Sequence, residues 1–167
     1  MEQLSFLEGE IRTRKKSAEK VIKKIHQLHE ELNAMYRVSS ERRFEIHTPE
    51  AAADLLIPFM ESLDHEEFWV VCLDNRNRVI RFDCLYKGTV NSTQIRMAEV
   101  FRLPILENAT AIIVAHNHPS GDPEPGVEDG KATAAIKEAG KLLEILLIDH
   151  LVIGRGRFVS FARRGLL

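Results

Sequence analysis

Residues 109–115, Ala-Thr-Ala-Ile-Ile-Val-Ala, narrow most sharply what this chain can fold into. An uncharged run of this length, rich in β-branched residues, has the character of a central strand buried on both faces. Such a strand needs helices above and below it, and the flanking sequence offers them. Thr48 followed by Pro49 is a good helix start for the apolar spacing Ala52, Leu55, Leu56, Phe59, Leu63. Residues 95–106 look helical, with Pro104 near the end, and residues 127–143 return to helix. Between them the period changes to two. Residues 68–73 and 79–85 are β-forming runs joined by Asp-Asn-Arg-Asn, the pattern of a tight hairpin, and residues 145–153 and 157–161 give two last strands. Strands and helices are interleaved, so the expectation is α/β, with a mixed sheet and helices on its faces.

The first forty residues differ in kind. Ala18, Val21, Ile25, Leu28, Leu32 and Met35 alternate three and four apart along a proline-free stretch, which predicts one long helix with a single apolar stripe. The stripe is short for a coiled coil, so it serves either packing on the chain's own domain or a dimer or partner surface. Residues 39–47 break the pattern, and the chain divides into a helical extension, 1–43, and a domain, 44–167. His26 and His29, one turn apart, are expected at the surface.

Composition sets the remaining limits. At 167 residues, 44% hydrophobic and 29% charged, the chain has the make-up of one soluble domain with an appendage. No run is long and apolar enough for a membrane span and the N-terminus lacks the order of a secretory signal, so a cytoplasmic protein is expected. Cys72 and Cys84 lie in strand-like stretches without CxxC spacing and are expected as ordinary buried thiols. A net charge of −2 gives no general attraction to nucleic acid, although residues 12–24 hold seven Lys or Arg against Glu19 alone.

The chemistry concentrates in Ala115-His116-Asn117-His118-Pro119-Ser120-Gly121-Asp122-Pro123-Glu124-Pro125-Gly126-Val127-Glu128-Asp129. Two residues apart at the end of a strand, His116 and His118 point the same way, as two ligands of one metal must, and Asn117 points away. Zinc accepts imidazole nitrogen and carboxylate oxygen, and three protein ligands leave a position open for water. With Gly126 as N-cap, Asp129 falls in the first turn of the next helix and can face the histidines. Asp122, Glu124 and Glu128 are the competing carboxylates.

The string HNHPSGDPxPxxxD, the downstream DHLVIG and the ending FVSFARRGLL are similar to the RadC family of bacterial proteins, within the MPN/JAMM metalloprotease superfamily. The resemblance runs from about Phe44 to Leu167. It implies a three-layer MPN/JAMM domain, related to the cytidine-deaminase-like folds, with the N-terminal helix as an addition. It also implies zinc held by His116, His118 and Asp129, through the superfamily pattern His-x-His, seven residues, Ser, two residues, Asp. A glutamate just before the first strand serves such enzymes as general base, which here is Glu66, with Glu67 the alternative because strand alternation turns only one of them to the metal. The chain departs from the pattern at Gly126, where the family has the serine that stabilises the oxyanion; loss of one such donor typically costs about 10²–10³ in rate. Asp149 and His150 match the family's DH pair, with His150 either a hydrogen-bonded core residue or a support for the site. Glu99 matches another position and either faces the site or pairs with Arg96 or Arg102.

The resemblance implies a zinc-dependent hydrolase of peptide or isopeptide bonds in a peptide or protein substrate. The competing expectations are a catalytically weakened metal-binding module that engages a partner through the N-terminal helix, and a DNA-associated protein, as the family's DNA-repair label implies. RadC proteins usually carry a helix-hairpin-helix DNA-binding module ahead of this domain, and no Gly-Ile-Gly turn occurs here. Base deamination is set aside, because no PCxxC occurs to complete the pair with an HxE.

Overall fold

The computed structural model describes residues 2–38, 44–88 and 95–167. In chain order the elements are α1 (Glu2–Val38), α2 (Pro49–Met60), β1 (Glu67–Leu73), β2 (Val79–Lys87), α3 (Met97–Val100), α4 (Arg102–Leu106), β3 (Ala111–Asn117), α5 (Val127–Leu143), β4 (Leu146–Ile153) and β5 (Phe158–Ser160).

The apolar run became β3, buried along its whole length at the middle of a five-stranded sheet of order β2-β1-β3-β4-β5. β3 pairs antiparallel with β1 and parallel with β4, so the sheet is mixed. Its two faces are covered separately. Trp69, Val71, Ile113 and Ala115 pack under α2, whereas Phe68, Val70, Ile112 and Val114 meet Val100, Phe101 and Ile136 of α3, the bend after it, and α5. This is the three-layer α/β arrangement expected from the sequence. No helix among the described residues is long and apolar enough to cross a membrane.

The hairpin between β1 and β2 is built by Asp74. Its Oδ1 accepts the backbone N–H groups of Arg76 and Arg78 at 2.9 and 3.1 Å, while Asn77 takes the left-handed conformation that asparagine tolerates in turns. Thr48 caps α2, its hydroxyl accepting the N–H of Ala51 at 3.3 Å. The helix expected over 95–106 is two short helices that meet at Phe101. Pro104 has no N–H to give the carbonyl of Val100, the last residue of α3, so one continuous helix loses the bond that would join its halves.

α1 docks on β2, the outer strand of the sheet, and corrects one expectation. His29 is buried, 6% exposed, not a surface residue. Its ring lies edge-on to Phe82, Trp69 and Phe59, with centroids 4.9, 5.3 and 5.8 Å away. The cause is the open edge of the sheet. Phe82 presents its peptide groups there, and Asn33 bonds both: its Nδ2 donates to the Phe82 carbonyl at 3.1 Å, which His29 Nε2 also approaches at 3.0 Å, and its Oδ1 accepts the Phe82 N–H at 3.3 Å. Leu32 of the apolar stripe packs on the core, but Val21, Ile25 and Leu28 remain largely exposed. Ala18 and Met35 fall outside the described side chains, and the boundary at residue 43 falls in the undescribed segment 39–43.

Candidate metal centre

His116 is placed by the pleat of β3. It pairs with Phe68 of β1 and Val152 of β4, pointing to the α5 side of the sheet. His118 lies just beyond the strand, yet its N–H still donates to the carbonyl of Ile153 at 2.9 Å, which continues the parallel pairing and keeps its side chain on the same side. The loop that follows closes tightly on the turn after β4. Gly121 adopts a φ of +84°, and a Cβ at Gly154 would strike the Gly121 carbonyl, which explains the glycine ending DHLVIG.

α5 brings in Asp129. Gly126 precedes the helix with extended backbone, and its N–H donates to Asp129 Oδ2 at 2.6 Å. That bond turns the carboxylate back over the helix start. Its Oδ1 lies 3.1 Å from His116 Nε2, and Oδ2 lies 3.8 Å from His118 Nε2. Burial alone would raise the Asp129 carboxyl, but His116 beside it and the Gly126 N–H outweigh it and hold the group down at about 2. The three competing carboxylates are engaged elsewhere: Asp122 faces Arg157, Glu124 pairs with Arg164 and Glu128 with Lys131.

The imidazoles meet at Nε2, 3.1 Å apart. His118 Nδ1 faces the backbone carbonyl of Asp122 at 2.8 Å and must donate to it, so a neutral His118 turns a bare Nε2 toward its two neighbours. His116, His118 and Asp129 form the one group of ligand atoms among the described residues, all within 4.8 Å of one another, that suits a metal ion. Two imidazole nitrogens and a carboxylate oxygen form a donor set for a cation, and the set resembles that of three-ligand zinc sites.

Behind His116 lies the buried His150, whose role the sequence left open. His150 Nε2 is 2.9 Å from His116 Nδ1, and its Nδ1 is 2.6 Å from the hydroxyl of Thr133. Burial, with His116 beside it, pushes the His150 ring well below the ordinary imidazole range. Asp149 turns the other way, accepting from Ser160 Oγ and from the N–H groups of His150 and Ala162. It ties β4 to the C-terminal turn.

The chain matches the profile of the RadC-like JAB domain over residues 46–166. It belongs to the RadC-like JAB domain family. Similar proteins include a UPF0758 protein of Roseiflexus castenholzii, 49% identical over 77% of this chain and 55% of its own length, and one of Staphylococcus aureus (strain bovine RF122), 43% identical over 78% and 58%. A UPF0758 protein of Chloroflexus aurantiacus is 45% identical over 78% of this chain and 57% of its own. The chain thus spans a little over half the length of these relatives.

Within this RadC-like JAB domain strand alternation separates the two adjacent glutamates. Glu67, the first residue of β1, shares its face with Trp69 and is buried; its carboxylate accepts Trp69 Nε1 at 2.8 Å and lies 3.1 Å from both Lys87 Nζ and His65 Nε2. Glu66 is half-buried and one residue earlier, so alternation from Phe68 assigns it to the face of His116. Asn117 fixes this segment: its Oδ1 accepts the Glu67 N–H at 2.7 Å and its Nδ2 donates to the His65 carbonyl at 2.9 Å. Glu99 pairs with Arg96 at 2.9 Å. Both cysteines are free thiols, and burial pushes Cys72 up to about 12.

Thr133 and the clamping role of Asn117 escaped the sequence reading. Thr133 stands four residues beyond Asp129 on α5, and that spacing was the available signal, because it puts both side chains on one helix face.

Proposed function

We propose that this chain is a zinc-dependent hydrolase of the JAMM type, a metallopeptidase acting on peptide or isopeptide bonds. The observation that carries the reading is the convergence of His116, His118 and Asp129 at the end of β3. Bound there, zinc would supply a Lewis acid that polarises a carbonyl and lowers the pKa of water toward ~7. Glu66 acts as general base on the attacking water and returns the proton to the leaving amine. The alternation that assigns Glu66 to the His116 face supports this choice over Glu67, whose carboxylate already accepts from Trp69.

Gly126 favours a second reading, a metal-binding interaction module with weakened turnover. The position itself does not forbid a serine. Its φ of −84° suits any residue, and a Cβ there would make an ordinary 3.5 Å contact with Asp129 Oδ2. The test is zinc-loaded protein incubated with a peptide library and isopeptide-linked substrates, read by mass spectrometry. The hydrolase reading expects cleavage that falls about 10²–10⁴-fold in Glu66→Gln while zinc is retained, and that rises in Gly126→Ser toward the ~10²–10³ worth of a restored oxyanion donor. Metal without cleavage in either the native chain or Gly126→Ser would favour the interaction module.

A further inference from the structure

We infer that Thr133 and His150 are positioning residues for the metal centre: they form a one-way chain of hydrogen bonds that holds His116 in the tautomer whose Nε2 carries the lone pair. The inference rests on the reading of His116, His118 and Asp129 as metal ligands.

The Thr133 hydroxyl has one hydrogen, and it is given to the backbone carbonyl of Asp129, 2.6 Å away and one helical turn back. The hydroxyl oxygen, 2.6 Å from His150 Nδ1, can then only accept, so His150 carries its proton on Nδ1. The His150 ring is 1% exposed, stacked on Phe161 at 4.8 Å, and its two nitrogens bond to Thr133 and His116 alone. Enclosed without a carboxylate against it, the ring holds a single proton, and Nε2 is left as an acceptor. The partner 2.9 Å away, His116 Nδ1, must therefore donate. With its proton spent there, His116 turns a bare Nε2 toward His118 and Asp129.

The reverse direction would serve no metal. If Thr133 donated to His150, the Asp129 carbonyl would keep only its helical partner, His150 would donate to His116, and the His116 proton would move to Nε2, where no metal could bind. α5 thus supplies the site twice from one turn and the next: the carboxylate of Asp129 as ligand, and the hydroxyl of Thr133 as the origin of the chain that sets the opposite ligand. Supports of this kind typically change metal affinity about 10–100-fold when removed.

The test compares the native full chain with Thr133→Ser, which keeps the hydroxyl, and Thr133→Val, which keeps the shape but cannot accept. Long-range ¹⁵N–¹H spectra of the imidazoles assign each tautomer in the zinc-free protein, and competition with a chromophoric chelator gives zinc affinity. We expect His116 and His150 both as Nδ1–H in the native chain and in Thr133→Ser, with the same affinity for zinc. Thr133→Val should bind zinc about 10–100-fold more weakly and show His116 partly as Nε2–H. Native His116 found as Nε2–H, an unchanged tautomer and affinity in Thr133→Val, or equal weakening in Thr133→Ser would each overturn the inference. A native chain that takes up no zinc would instead overturn the metal reading, and the zinc-free spectra would still decide the direction of the chain.

Discussion

Asn117 lies between His116 and His118 and turns the opposite way, where its amide replaces one more step of the β1–β3 ladder. It bonds the peptide groups on both sides of Glu66, so the residue between the two histidines fixes the strand entry that carries the proposed base. Asn117→Ala strands a buried N–H and a carbonyl, and should cost about 1–3 kcal/mol in urea unfolding and speed exchange of the Glu67 amide. An unchanged midpoint would show that water replaces the amide without loss. Glu67 makes a second residue-scale prediction. Burial opposes its charge, but the bonds from Lys87 and Trp69 outweigh it and hold the carboxyl below its ordinary value. A depressed carboxyl stabilises the fold above the unfolded value of about 4.3 and loses that contribution as pH falls through the lower folded value. Glu67→Gln should therefore be less stable than the native chain at pH 7, and the gap should narrow toward pH 3. The spacing of His116, His118 and Asp129 was legible in the sequence because alternation and helix turns have fixed periods. Asn117 was legible only as pointing away; what it bonds depends on a segment fifty residues earlier.

Elements followed the sequence wherever a local rule governed them. The expected 127–143 helix is α5 with the bounds 127 and 143, since Gly126 and the acidic first turn mark its start. The break at Phe101 was within reach, because Pro104 forbids the bond to Val100. The docking of α1 was not. Its stripe predicted a packed face, yet the helix meets the domain through Leu32 with His29 and Asn33, polar residues chosen by the needs of a strand edge. Asn33→Ala should remove both of its bonds to the Phe82 peptide and destabilise the domain by about 1–3 kcal/mol. Limited proteolysis should then cut α1 from the variant faster than from the native chain, and equal rates would contradict its role as an edge cover.

On the scale of the whole molecule, the sheet presents its chemistry at the end of the central strand, where β3 runs out between an antiparallel and a parallel neighbour. Three elements converge there: β3 and the residue just beyond it bring the imidazoles, α5 the carboxylate, and β4 the buried His150 against His116. The layers are therefore more than packing, since loss of either α5 or β4 would dismantle the site. The central claim is that this convergence holds a metal, and the most direct measurement is metal content by mass spectrometry. Protein supplied with zinc and freed of excess is compared as native chain, His118→Ala and Asp129→Ala. The account predicts about one zinc per native chain and none retained in either variant. Native protein that retains no zinc, or variants that retain as much, would contradict it.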